Sequence, residues 1–177
     1  MFGWATLAFV LWNAATVWWV WNATPVGPIA ATLVSTTLNL IAFMAFHTVS
    51  KKAPRALAYT LLVAGWITTE YWYTWGEISF PWLILGNGFS EVPWAVQWYE
   101  FTGTLGGSLW IWMANLGIFG MLVALSDGSW LRWNAKARTA AAIGLTAVLV
   151  VPFIISPIAG RGYDMEAAEK LPVVIVQ

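Results

Sequence analysis

Residues 2–21, from Phe2-Gly3-Trp4 to Trp19-Val20-Trp21, run without a single charged side chain. A helix rising about 1.5 Å per residue needs about 20 apolar residues to cross a hydrocarbon core of about 30 Å. Further stretches of that length lie at 28–49, 56–75, 106–125 and 139–158. The first run lacks the basic start and small-residue cleavage site of a signal peptide, so it reads as a true span. Composition closes off the alternatives. Apolar residues make up 60% and charged residues 9%, against roughly 45–50% and 25% in ordinary soluble domains. So few charges cannot coat a water-soluble globule, and disorder requires the opposite balance. The expected fold is therefore an all-α membrane protein. Residues 1–160 form a five-helix transmembrane bundle, 76–105 a long outer re-entrant or interfacial loop, and 161–177 an extracytoplasmic tail.

Orientation follows from the cations, which collect in cytoplasmic loops. Lys51, Lys52 and Arg55 lie between spans two and three, and Arg132, Lys136 and Arg138 between spans four and five. The connections 22–27 and 76–105 contain no Lys or Arg, and the longer one holds Glu77, Glu91 and Glu100. This alternation puts the N-terminus in the cytoplasm and the C-terminal tail outside, in the periplasm if the host is a bacterium. Tryptophan agrees. Trp18, Trp19, Trp21, Trp72 and Trp75 fall at outer span ends, and Trp130 and Trp133 flank an inner basic loop, as aromatic belts require.

The same inventory removes whole classes of chemistry. Eight Lys+Arg balance eight Asp+Glu, which leaves no basic surface for nucleic acid. No cysteine is present, so disulfides, thiolate metal sites and a cysteine nucleophile are all absent from this sequence. His47 stands alone near the inner end of span two and reads as an interfacial hydrogen-bonder. No metal site, cofactor or catalytic residue is expected. Membrane phospholipid is the natural partner.

The loop 76–105 is longer than most connections, and loops of that length are usually functional or disordered. Disorder does not suit Ile78-Ser79-Phe80-Pro81-Trp82-Leu83-Ile84-Leu85, which is apolar enough to lie in an interface. Gly86-Asn87-Gly88 signals a turn. Val92, Ala95, Val96 and Tyr99 follow at i, i+3, i+4 and i+7, the spacing of an amphipathic surface helix over 92–101. Glu70 is the one acidic residue within a span, where a charge near the centre costs about 2.5–3.5 kcal/mol. It needs a partner, either for structure or for a substrate, and Asn39, Asn87 and Asn115 are the candidates. Gly103 and Gly107 form a GxxxG, a spacing that lets helix backbones approach closely in lipid.

Val173-Val174-Ile175-Val176-Gln177 reads as a buried strand started by Pro172. Unpaired, it would be a liability, so a second, extramembrane domain or a partner subunit is expected to complete a sheet there.

Four motifs then carry a family resemblance. They are Trp18-Trp19-Val20-Trp21-Asn22-Ala23-Thr24-Pro25; Thr69-Glu70-Tyr71; Phe80-Pro81-Trp82-Leu83-Ile84-Leu85-Gly86-Asn87-Gly88; and Gln97-Trp98-Tyr99-Glu100-Phe101-Thr102-Gly103-Thr104-Leu105-Gly106-Gly107-Ser108-Leu109-Trp110. In this order they resemble the membrane domain of apolipoprotein N-acyltransferase. That family transfers an acyl chain from phospholipid to the N-terminal diacylglyceryl-cysteine of lipoproteins, in the bacterial inner membrane. The resemblance implies that the five spans match the family's third to seventh helices and that the tail matches the first strand of its nitrilase-like domain. The Glu-Lys-Cys triad of that domain forms a thioester, and no position here matches a triad member. It also implies that Glu70, Phe80, Pro81, Trp82, Asn87, Tyr99 and Glu100 face lipid or lipoprotein substrate on the membrane side of the family's site. An alternative is a shortened, catalytically dead relative serving as a scaffold or accessory subunit beside other membrane subunits.

Overall fold

Helix boundaries fall where the sequence changes character, as the computed structural model of residues 1–75 and 79–162 shows. Helix α1 covers Phe2–Val17 and tightens into a 3-10 turn at Trp18–Asn22. Helix α2, Gly27–Val49, opens on Pro28, whose missing N–H costs nothing in a first turn. Helix α3 is Arg55–Trp75, α4 Tyr99–Ser126, α5 the single turn Ser129–Arg132, and α6 Ala135–Ala159. Asn134 caps α6, its side chain accepting the Ala137 N–H at 2.8 Å. All regular structure among the described residues is helical. The tail strand expected at 173–177, and Glu77, lie outside the described residues.

By length and composition, α2, α4 and α6 can each cross a membrane. Helix α1 has 16 residues, short of about 20, and α3 carries Glu70 among several threonines and tyrosines. Large apolar side chains point outward along the long helices. Ile29, Leu33 and Ile41 on α2 are 57%, 63% and 60% exposed, and Ile143 and Ile154 on α6 are 63% and 57%. Water would not tolerate so much exposed apolar surface on a monomer, whereas lipid tails favour it.

The described residues pack as two compact units, Met1–Gly88 with Thr104–Met113, and Phe89–Gly103 with the described residues after Met113. In the first, α1, α2 and α3 pack side by side around aromatic rings. Trp66, 5% exposed, meets Phe9 at 5.9 Å, Trp12 at 6.1 Å and Trp112 at 5.3 Å between ring centroids. Trp66 is thus a core residue, while Trp18, Trp21 and Trp75 stay largely exposed as anchoring tryptophans do. In the second unit, the turn Pro93–Ala95 packs on α6. Ser156 is fully buried there, its Oγ accepting the Gln97 N–H at 2.8 Å and donating to the Trp94 carbonyl.

Two local expectations are corrected. The surface helix over 92–101 is not formed. Val92 and Val96 have φ/ψ of −130°/57° and −132°/28°, and Pro93–Ala95 makes one 3-10 turn before α4 begins at Tyr99. Pro93 suits the start of the turn, its fixed φ and missing N–H costing little there, and the non-helical backbone at Val96 ends it. The segment 79–98 is a string of short 3-10 helices, Pro81–Leu83, Leu85–Phe89 and Pro93–Ala95. The second correction concerns Gly103, expected to pack helices together with Gly107. Its φ of 63° and ψ of −175° interrupt α4, and a Cβ added there would meet nothing within 4 Å. Gly103 breaks the helix in a region of backbone space open essentially to glycine alone. Gly107, beyond the break, is buried within α4.

Candidate functional site

Glu70 follows Trp66 by one turn of α3, so the two side chains share a face. The Trp66 Nε1–H donates to Glu70 Oε1 at 3.0 Å, and the Leu85 backbone N–H donates to the same oxygen at 3.0 Å. The next amide, Gly86 N–H, donates to Ser108 Oγ at 3.0 Å. Consecutive loop amides are therefore held by a carboxyl on α3 and a hydroxyl on α4, inside one unit. Gly86 is required by space as well: a Cβ there would collide with the Thr104 carbonyl. Farther back, Asn87 Nδ2 donates to the Pro81 carbonyl at 2.8 Å and closes the loop on itself.

Glu70 is only 5% exposed. Hydrogen bonds to a charged group contribute about 1.5–3 kcal/mol each, so its two donors offset much of the cost of burial. Ser108 Oγ is also near the carboxyl, yet no bond of acceptable geometry reaches the buried Oε2 among the described residues. Glu70 borders a cavity of about 10 Å³ that is also lined by Trp12, Ser35, Asn39, Tyr73 and Phe80. On its far wall, Ser35 Oγ and Tyr73 OH are 2.9 Å apart. Close by in sequence, Asn13 Nδ2 donates to Thr36 Oγ1 at 3.2 Å and to the Phe9 carbonyl at 2.8 Å. A polar seam thus runs through the α1–α2–α3 packing.

The structure gathers part of the expected set. Glu70 and Phe80 line one cavity, and Pro81 and Asn87 are bonded to each other. Trp82 is 64% exposed and meets Trp19 edge-on at 5.4 Å. Tyr99 and Glu100 belong to the second unit, where Tyr99 packs edge-on against Trp98 at 4.7 Å. Of the asparagines expected beside Glu70, Asn39 shares its cavity, Asn87 turns to Pro81, and Asn115 falls in the second unit. The actual donors were not anticipated. The i−4 spacing from Trp66 to Glu70 could have revealed one of them, whereas the Leu85 amide, a backbone group 15 residues away, left no signal. A second groove in this unit, about 590 Å³, runs between α1 and α2 and is lined chiefly by apolar groups, among them Val10, Ala14, Trp18, Ile29 and Leu33. No cluster of three His, Cys, Asp or Glu exists among the described residues.

Comparison with known proteins adds two findings. Residues 1–117 match the family model described as apolipoprotein N-acyltransferase N-terminal domain. An apolipoprotein N-acyltransferase from Chlorobaculum tepidum is 29% identical over 110 residues, which cover 62% of this chain and 21% of that relative. The chain therefore spans about a fifth of the length of the relative it matches. No solved structure matches.

Proposed function

Because the chain belongs to the family of apolipoprotein N-acyltransferase N-terminal domains, we propose that it supplies the membrane side of a lipid-to-lipoprotein acyl transfer. The acyl donor is phospholipid and the acceptor the α-amino group of an N-terminal diacylglyceryl-cysteine. With no cysteine in its 177 residues, the chain holds no thiol to accept the acyl group. That covalent step belongs to a nucleophile outside this sequence. What this chain contributes is binding: five spans in the bacterial inner membrane, N-terminus inside, with the loop after α3 on the outer face.

The observation that carries this reading is the pinned loop. Glu70 and Ser108 fix Leu85 and Gly86 by their amides, while Trp82 projects from the same loop with most of its surface free. An indole held at an interface by a rigid backbone presents an apolar face to acyl chains and an N–H to headgroups. Phe80, Pro81, Trp82 and Asn87 form the contact surface, and Glu70 supports it from beneath. Tyr99 and Glu100 offer a separate contact within their own unit. The apolar groove between α1 and α2 supports lipid contact along the same unit.

A phospholipid bearing a photoreactive acyl chain tests this in nanodiscs containing the chain. Crosslinks should concentrate on residues 79–89, fall several-fold in Trp82→Ala, and be displaced by a diacylglyceryl-cysteine peptide. Labelling spread evenly over the apolar faces of α2 and α6, and indifferent to Trp82→Ala, would overturn the assignment.

A further inference from the structure

One buried carboxyl oxygen, Glu70 Oε2, lacks a partner among the described residues, and the Asn39 carboxamide borders the same small space. Glu70 Oε2 is buried and accepts no hydrogen bond from any described residue. Asn39, 7% exposed on α2, lines that cavity, and its carboxamide makes no hydrogen bond to a described residue. Leaving one such group unsatisfied costs about 1–3 kcal/mol, more for a charged one. The remaining polar lining is the Ser35–Tyr73 hydroxyl pair and Thr69, whose hydroxyl already donates to the Trp66 carbonyl at 2.7 Å. The cavity measures about 10 Å³, and a water needs about 10–15 Å³ with two to four polar partners. An apolar group could fill the volume but would leave Glu70 Oε2 unsatisfied.

We propose that this cavity is a binding site for one water molecule, which donates to Glu70 Oε2 and is held on its other side by the Asn39 carboxamide. The water adds a link between α2 and α3 beside the direct Ser35–Tyr73 bond, since no direct bond joins Asn39 to Glu70. It also completes the coordination of the carboxyl whose other oxygen holds Leu85 N–H, so the loop's anchor is a three-part unit of carboxyl, water and amide. This site stands apart from any acyl transfer and does not depend on it.

Infrared difference spectra of the chain in phosphatidylcholine nanodiscs, taken in ordinary and ¹⁸O-labelled water, test the assignment. The wild type should show an isotope-sensitive O–H stretch shifted well below that of bulk water. Asn39→Leu, which removes a ligand and fills the space, should abolish it. Thr37→Val, on the exposed face of α2 where the hydroxyl bonds back to the Leu33 carbonyl, should retain it. Absence of the band in the wild type, or its survival in Asn39→Leu, would overturn the proposal. Should Asn39→Leu fail to melt cooperatively, Glu70→Gln decides instead. A neutral amide accepts a weaker bond than a carboxylate, so the band must move to higher frequency, and an unmoved band counts against the site.

Discussion

Trp66 does two jobs that the residue type alone does not separate: its ring fills the aromatic core and its N–H satisfies Glu70. Trp112, its edge-on neighbour, has the same ring but a buried Nε1 with no partner among the described residues. Phenylalanine at either position removes similar aromatic area, so the difference between the two variants isolates the hydrogen bond. Trp66→Phe should lose about 1.5–3 kcal/mol more stability than Trp112→Phe, read from reversible unfolding in detergent. Equal losses would mean that the indole N–H contributes nothing to holding the carboxyl. A charge inside a span announces that a partner must exist, because lipid offers none. Which partner is a matter of distance in space. Trp66 was within reach of a sequence argument at i−4, whereas Leu85 became a donor only when the loop folded back.

At the scale of elements, α4 and α6 each carry a device that their apolar composition conceals. Gly103 interrupts α4 at φ 63° and ψ −175°, and Gly103→Ala should cost about 1–3 kcal/mol from backbone strain alone. Since the space around it is open, that loss should appear in unfolding experiments with no change in packing of the core; a neutral substitution would show that the break is not required. On α6, Ser156 lies between Pro152 and Pro157 and fastens the turn at Pro93–Ala95 through two hydrogen bonds. Ser156→Ala leaves the part-buried Gln97 N–H without its acceptor, at about 1 kcal/mol or more. Hydrogen exchange over 94–98 should then accelerate while exchange in α2 stays unchanged. The apolar periodicity at 92–101 suggested a helix, but the backbone leaves helical φ/ψ at Val92 and Val96, so side-chain spacing alone did not make one.

For the molecule as a whole, the outward apolar faces of α2 and α6 demand a lipid solvent. The distribution of cations adds a side to each connection. A chain without cysteine is suited to testing this, because each introduced thiol reports alone. Lys52→Cys should react with membrane-impermeant reagent only from the cytoplasmic side and Ser90→Cys only from the opposite one. Labelling of both from one compartment would refute the five-span arrangement and, with it, the placing of the loop on the outer face.

Solvent was legible from residue types. An unbroken apolar run such as 28–49 can satisfy its backbone in lipid only as a helix, so class, approximate boundaries and family likeness could be read before any coordinate. The loop's conformation and the surroundings of Glu70 could not. They depend on backbone amides at Leu85 and Gly86 and on hydroxyls at Ser108 and Ser156, groups that look alike everywhere along a chain. Such groups acquire a role only from what three-dimensional packing brings within 3 Å of them.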